Sequence, residues 1–470
     1  MYEMGVDSRL DSSVEHRKEI AIALNKNTNS KVIMVCKKTV QRYKNVEHQK
    51  LTGNLYFCAM NNCRDVKFYV PTIRNKQNTI NAMNLDFTFQ NPTRIHFGRS
   101  AMNHLADELK KFGPNILLVY GKNSIKKMGL YDQVIRTLKE CGKNVVELPG
   151  INSNPRYSQL LEGARLVREH HVDLILAVGG GSVIDCSKGI AMSAYCEGDP
   201  WTRYWENGED VNNPVVPVAS ILTMTGTASE MNGGSVITHE DKKLKLGRVF
   251  PLELASPKFS ILNPEFTFSV PKYQMVSGIF DIFSHLMEQY FSGDDDCVSD
   301  YLLEGDMLAL ISAARKAIVN QEDYEARSNI MWCATMGLNK ILALSKTQDW
   351  EVHMIEHQLG AYTDCAHGIG LAIISVPYYR HIYKYGLHRF VRYAQNIWHV
   401  APEGKTDEQI ALEGIQALSD FIAEMGIPQT LREVGATEEM LPLIAESTVK
   451  CGGYHVPTTG EVLEILKACY

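Results

Sequence analysis

A chain of 470 residues exceeds one ordinary hydrophobic core and points to two or more domains. With 45% apolar and 22% charged residues it reads as globular, and no apolar run approaches the roughly 18 residues of a membrane span. The net charge is −6 and Lys and Arg do not gather into one basic stripe, so neither a membrane nor a nucleic acid is an expected partner.

Residues 1–82 stand apart. They hold 14 Lys and Arg against 7 Asp and Glu, an excess of about 7 positive charges, which leaves about −13 for residues 83–470. Stretches such as NKNTNSK and RNKQNTINA lack sustained periodicity, so this segment reads as an appended, poorly ordered extension without an assigned role. No signal-peptide pattern opens the chain. The 11 cysteines are scattered with no C-x-x-C pair, and Cys186 and Cys333 fall inside apolar helical patterns, so buried thiols in a reducing cytoplasm are expected.

From Met83 onward strand and turn signals begin at once. ILLVY (116–120) reads as a buried strand and YDQVIRTLKECG (131–142) as the helix after it. VVEL (145–148) is a short strand, followed by a helix across RYSQLLEGARLVREHH (156–171). VDLILAVGGGS (172–182) is a strand ending in glycines, continued by a helix from Ser182 to about Tyr195, and PVVPVASILT (214–223) is another strand. This alternation predicts a parallel sheet with helices on both faces. After LNPEFTFSVP (262–271) helix periodicity takes over, as in DEQIALEGIQALSDFIAEMG (407–426). The expected organisation is therefore an α/β half over 83–265 and an all-helical half over 266–470.

AVGGGSVIDCSK (177–188) sets three glycines between a strand and a helix. Glycines there let backbone approach a phosphate, and a helix N-terminus offers free N–H groups and a positive dipole end. Ser182 is a natural N-cap for that helix. Taken alone the turn reads more readily as a plain tight turn, and it is not G-x-G-x-x-G. TMTGTASEMN (223–232) places hydroxyls and glycine after the next strand. Two such loops at the carboxyl ends of parallel strands are where open α/β sheets bind ligands, so nucleotide binding is expected.

Asp281 and His285 in GIFDIFSHLMEQYFS lie four apart on an apolar helix and face one side, as a hydrogen-bonded pair or as two ligands of one ion. HMIEHQLGAYTDCAH (353–367) adds three histidines, of which His353 and His357 are one turn apart. A continuous helix would set His367 roughly 21 Å along the axis from His353, at about 1.5 Å per residue. Sharing an ion therefore requires a break, with Gly360 and YTDC (362–365) as candidates and Gly368 and Gly370 following. Asp281, His285, His353 and His367 would leave a divalent ion with a net charge of about +1, suited to an incoming alkoxide. His357 is left over, close by, as a group that supports a ligand or as a proton carrier.

These pieces resemble a known family. GGGSVIDCSK, SILTMTGTASEMN, KFSILNPEFTFSVP, DIFSHLMEQYFSG, YEARSNIMWCA and HMIEHQLGAYTDCAHGIGLAI are similar, in order, to the iron-containing alcohol dehydrogenases, particularly their butanol dehydrogenase-like branch. The resemblance runs from about Met83 to the end. It implies a Rossmann-like dinucleotide-binding domain, a helical metal-binding domain and a cleft between them. It also implies the metal ligands Asp281, His285, His353 and His367, with His357 near the nicotinamide. Cofactor contacts map to Gly180, Gly181, Ser182, Asp185, Thr223, Thr227, Asn232 and Lys245. Residues 1–82 have no counterpart, which makes Met83 the natural beginning.

NAD-preferring members often carry a carboxylate at the end of the first strand. Here that end reads YGKNSIKKMG (120–129), with Lys122, Lys126 and Lys127 nearby. Gly121, Asn123 and Ser124 are therefore expected at a ribose 2′-phosphate, which favours NADP(H) over NAD(H). Fe2+ is the expected ion, with Zn2+ as the alternative, because ligand type does not separate them. The expected reaction is hydride transfer between NAD(P)H and a small aliphatic aldehyde or alcohol, with aromatic residues Trp332, Trp350 and Tyr362 suggesting the apolar substrate, in a homodimer. A dehydroquinate synthase-like lyase is the rival reading, opposed by the apolar HGIGLAIISVPYYR (367–380) where a basic cluster would be needed; a non-catalytic metal- or nucleotide-binding protein is the other.

Overall fold

The computed structural model describes residues 86–293 and 297–470, together with two short strands at 22–25 and 30–33. Those strands, β1 (Ile22–Asn25) and β2 (Ser30–Ile33), pair antiparallel in a unit of their own. The expectation of a poorly ordered extension falls otherwise on residues outside the described ones.

The first half carries β3 (Arg94–Phe97), α1 (Leu105–Leu109), β4 (Asn115–Tyr120), α2 (Ser124–Lys127), α3 (Leu130–Glu140), β5 (Asn144–Leu148), α4 (Tyr157–Glu169), β6 (Leu174–Gly179) and α5 (Gly181–Ser193). It continues through β7 (Val218–Leu222), β8 (Gly234–His239), β9 (Leu244–Val249), α6 (Leu252–Ala255) and β10 (Phe259–Leu262). Six strands form one parallel sheet in the order β3-β10-β7-β6-β4-β5, and β8 and β9 form a separate antiparallel hairpin. Burial explains why the strands read as unbroken apolar runs: every residue of β6 is buried. Ile116, Leu118, Leu174 and Leu176 pack on one face with Leu105, Val134 and Leu138. The alternate residues Leu117, Val119, Ile175 and Ala177 pack on the other with Tyr157, Leu160, Val167 and Ile190.

The chain leaves β4 outward to β5 and returns to β6 on the other side. The crevice at the carboxyl ends of β4 and β6 is thus the topological switch point, where α/β sheets seat ligands. The strand expected over 214–223 starts only at Val218, because Pro214 and Pro217 have no N–H to give the ladder. Strands β3, β8, β9 and β10 were not singled out in the sequence.

Helices make up the remainder: α7 (Lys272–Tyr290), α8 (Val298–Val319), α9 (Tyr324–Gly337), α10 (Glu351–Thr363), α11 (His367–Ile382), α12 (Leu387–Trp398), α13 (Asp407–Glu424), α14 (Met440–Ser447) and α15 (Thr459–Ala468). Helix α7 is buried on all sides from Met275 to Tyr290, which makes it the core about which the others pack. Two glycines allow its closest contacts. A Cβ on Gly278 would lie 2.2 Å from the Thr225 carbonyl oxygen, and one on Gly368 would lie 1.8 Å from that of Ser277. No helix among the described residues is long and apolar enough to cross a membrane.

Candidate active site

Three loops meet at the switch point. A Cβ on Gly181 would lie 2.2 Å from Thr227 Oγ1, and one on Gly180 would lie 3.0 Å from Met224 Cβ, so the glycine turn after β6 and the hydroxyl loop after β7 touch. Gly121, after β4, lies within reach of Val183 in the first turn of α5. The N-cap of α5 is Gly180 rather than Ser182, whose hydroxyl instead donates to the Ser153 carbonyl. The first N–H groups of α5 are therefore presented by glycine backbone with no side chain in the way.

Several of the residues mapped to the cofactor are tied into the protein. Asp185 accepts from the Ser229 hydroxyl and, at 2.9 Å, from the Val236 N–H. Asn232 donates to the carbonyls of Thr227 and Leu338, and its Oδ1 accepts from Lys188 at 3.0 Å. Lys188 is fully buried, donates also to the Ser229 and Asn232 carbonyls, and is lowered to about 8 by burial. It knits α5 to the hydroxyl loop. Thr223 takes part through its N–H, which donates to Gly179 at 2.9 Å, and Thr227 Oγ1 accepts from the Ser229 N–H. Asn123 occupies the N-cap position of α2, with Ser124 its first residue, and its side chain makes no capping bond.

The hydroxyl loop then runs onto the metal candidates. A Cβ on Gly226 would lie 2.7 Å from Asp281 Oδ2, so the end of the sheet abuts the carboxylate on α7. Asp281 Oδ1 lies 3.4 Å from His285 Nε2, 3.7 Å from His353 Nε2 and 3.6 Å from His367 Nε2. The rings of His285 and His353 stack at 4.7 Å, and those of His353 and His367 stand 5.2 Å apart. The three histidines therefore converge on Asp281, and ligand atoms of Asp281, His353 and His367 lie within 4.8 Å of one another. The helix breaks where that requires it: α10 ends at Thr363, Asp364 takes a left-handed conformation at φ 57°, and α11 starts at His367. Gly360 stays inside α10, so the YTDC stretch supplies the break. Asp364 is held there by Asn154 at 2.8 Å and Arg156 at 3.3 Å, both from the sheet half.

Two glutamates orient the imidazoles. Glu288 Oε1 lies 2.5 Å from His353 Nδ1, and the Ser284 hydroxyl and the His353 N–H also donate to that carboxylate. Glu356 is bonded to His367 Nδ1 and to Lys245 Nζ, the latter at 3.1 Å. Lys245, expected at the cofactor, thus reaches across from β9 to steady a ligand. Outer carboxylates of this kind fix the ring orientation of metal-binding histidines and raise their basicity. Sequence reading missed both glutamates, although Asp281, His285 and Glu288 follow the i, i+4, i+7 rule of one helix face.

The electrostatics agree with a cation site. Burial pushes the Asp281 carboxyl up, but the surrounding imidazoles outweigh it and hold it down at about 2. Burial lowers His285 to about 4 and carries His367 and His357 well below the usual histidine range, Lys245 adding to the effect on the last two. Burial also opposes a charge on His353, but Glu288 and Asp281 prevail and raise it to about 10. Asp281 Oδ1 and His353 Nε2 are buried without a hydrogen-bond partner, as expected of atoms kept for an ion. His357 stands 5.6 Å from His367 ring to ring, beside Gly247 of the hairpin. Trp350 lies against His285 and His353 at 6.0 and 5.3 Å, whereas Trp332 is 45% exposed and packs on Phe97. Tyr362 is half-buried, 5.9 Å from the Lys243 ammonium.

A switch-point crevice beside a carboxylate and three imidazoles is suited to a nucleotide and a divalent cation held side by side. The family model for iron-containing alcohol dehydrogenase matches residues 92–264, and that for the C-terminal part of the Fe-containing alcohol dehydrogenase family matches residues 275–470. The chain belongs to the iron-containing alcohol dehydrogenase family. It is 39% identical to NADH-dependent butanol dehydrogenase A of Clostridium acetobutylicum over 393 residues, covering 82% of this chain and 100% of that one. It is 35% identical to the NADPH-dependent aldehyde reductase YqhD of Escherichia coli over 370 residues, covering 78% and 94%. The crystal structure of NADH-dependent butanol dehydrogenase A from Thermotoga maritima superposes with a TM-score of 0.78 at 35% identity, covering 82% of this chain and 98% of that one. This protein is an NAD(P)-dependent alcohol dehydrogenase of the butanol dehydrogenase-like branch, and the lyase and non-catalytic readings are set aside.

Proposed function

We propose that the protein interconverts short to medium aliphatic aldehydes and alcohols with NADPH as its preferred reductant, at the centre formed by Asp281, His285, His353 and His367. The supporting observation is the convergence of these four side chains from three helices, with Asp281 Oδ1 and His353 Nε2 buried and unpartnered. A divalent cation held there, iron in preference to zinc, supplies Lewis acidity toward a carbonyl or hydroxyl oxygen. A nicotinamide in the crevice supplies or takes the hydride.

The chain's own residues bind and orient. Gly180 and Gly181 offer the N–H groups of α5 to a pyrophosphate, with Ser182, Thr223 and Thr227 beside it. Asp185, Asn232 and Lys245 act behind those contacts by holding the loops and His367 in place. His357, kept neutral by burial, is the group we assign to moving the proton. Trp350 closes the apolar side of the site.

The preference for NADPH rests on the end of β4, where Gly121, Asn123 and Ser124 carry no carboxylate and Lys122 is exposed. The carboxylate nearest by strand pairing, Glu147 on β5, is engaged by the hydroxyls of Tyr120 and Tyr131 at 2.5 and 2.8 Å. Against it, Lys126 is turned onto the faces of Tyr131 and Tyr120, at 4.6 and 5.3 Å. The relatives carry both NADH- and NADPH-dependent names. We assign the domains to 83–265 and 266–470, and further propose a cytoplasmic homodimer.

The test is an aldehyde panel assayed with NADH and NADPH on protein reconstituted separately with iron and zinc. We expect metal-dependent turnover, greater with iron and with NADPH. No turnover in a fully metallated sample would overturn the catalytic reading, and a higher kcat/KM with NADH would overturn the cofactor preference.

A further inference from the structure

A second group of metal-ligating side chains lies at the opposite end of α11. His381 Nε2 is 3.3 Å and His455 Nε2 is 2.9 Å from one and the same oxygen, Oε1 of Glu461. One ligand atom from each of the three lies within 4.8 Å of the others. Ligands at about 2.0–2.1 Å from a tetrahedral zinc ion stand roughly 3.3 Å apart, so these spacings already match the edges of such a site. His381 is fourteen residues beyond His367 on α11, about 21 Å along the axis at 1.5 Å per residue, so this is not the catalytic centre.

The three side chains are held rather than free. Glu461 closes the N-terminus of α15: its Oε2 accepts from the Thr458 N–H at 2.7 Å, which leaves Oε1 toward the histidines. Tyr385 stacks on the His455 ring at 4.3 Å with planes 3° apart. His381 is fixed by the last turn of α11. Each of the three is about one quarter exposed, 25%, 22% and 25% by side chain, so an ion can enter from solvent and keep water in its fourth position.

We propose that His381, His455 and Glu461 form a second site, apart from the catalytic centre, for a divalent cation of the zinc class. Its consequence is mechanical. The segment bearing His455 also donates the Cys451 N–H to Glu351 at 2.6 Å and the Gly453 N–H to Asp349 at 3.1 Å, the residues that open α10 just before His353. A cation there pins that segment to α11 and steadies the first turn of the helix that presents two active-site histidines. The inference does not depend on which aldehyde or nicotinamide the enzyme uses.

The test is zinc content of the full chain by equilibrium dialysis and elemental analysis, for wild type, His381→Ala, His455→Ala and Asp281→Ala. We expect His381→Ala and His455→Ala each to hold one zinc fewer than wild type while keeping the equivalent bound at Asp281. Asp281→Ala should lose its own equivalent independently, and zinc should still raise its melting temperature. That rise should vanish when His455→Ala is added. Equal zinc content in wild type and His455→Ala overturns the proposal, and so does an unchanged zinc-induced melting shift in the double variant.

Discussion

Glu288 Oε1 sits 2.5 Å from His353 Nδ1 while the backbone N–H of the same histidine donates to Glu288 Oε2, so one carboxylate sets both the ring and the backbone of a ligand. Replacing it with Gln keeps the shape and removes the charge that raises the imidazole's basicity. Glu288→Gln should weaken metal binding by about 10- to 100-fold with the fold intact. Competition with a chelator of known affinity measures this; unchanged affinity means that His353 is oriented by its helix alone.

In the proposed assignment His357 stands 5.6 Å from the His367 ring as the proton carrier and not as a ligand. His357→Ala should lower kcat by about 10²- to 10⁴-fold, the usual worth of a positioned proton-transfer group, while the bound metal stays nearly stoichiometric. Metal analysis alongside steady-state rates separates the roles. Loss of metal in step with rate makes His357 a ligand.

Gly368, which follows the third histidine, lies at the crossing of α11 over α7. With a Cβ 1.8 Å from the Ser277 carbonyl oxygen, Gly368→Ala forces the helices apart. It should cost about 3 kcal/mol or more in denaturant unfolding and displace His367 from Asp281. Gly305 is the control: it lies within α8 with open space at its Cβ, so Gly305→Ala should stabilise by about 0.5–1 kcal/mol. Equal effects at the two sites would contradict the close-approach argument.

Asp306 on α8 is raised by burial to about 7, and its Oδ2 has no hydrogen-bond partner. A carboxyl whose folded value lies above its unfolded one of about 3.9 binds its proton more tightly when folded. Its contribution is present below pH about 4 and is lost as pH rises toward about 7. Three units correspond to about 4 kcal/mol at most, and partial exposure reduces this to about 1–3 kcal/mol. Asp306→Asn should therefore raise the melting temperature at pH 8 and leave it little changed at pH 4. A pH-independent difference argues against a buried neutral carboxyl.

What could be read from sequence was whatever obeys a short period. The runs ILLVY and LILAVG become strands because both their faces are covered, and Asp281, His285 and His353, singled out by helical spacing, lie close together with His367 brought in by the break after α10. The hairpin β8–β9 escaped notice because its value lies in long-range reach: Lys245 matters through Glu356, 111 positions away. Lys188, a cation in an apolar helix, became intelligible only once the Ser229 and Asn232 carbonyls closed around it. Ser182 misled because glycine had already taken the capping position.

Only residues 364–366 separate α10 from α11, and they set the phase between two histidine-bearing helices. His367 is the first residue of α11, so a single insertion or deletion in this short non-helical junction should move it relative to Asp281. The connection between Trp398 and Asp407 lies outside the stretch that carries Asp281, His285, His353 and His367, so a change of length there should leave that centre in register. Tolerance of length should therefore differ between these two connections, a contrast that insertion scanning would read directly as metal retained or lost at Asp281.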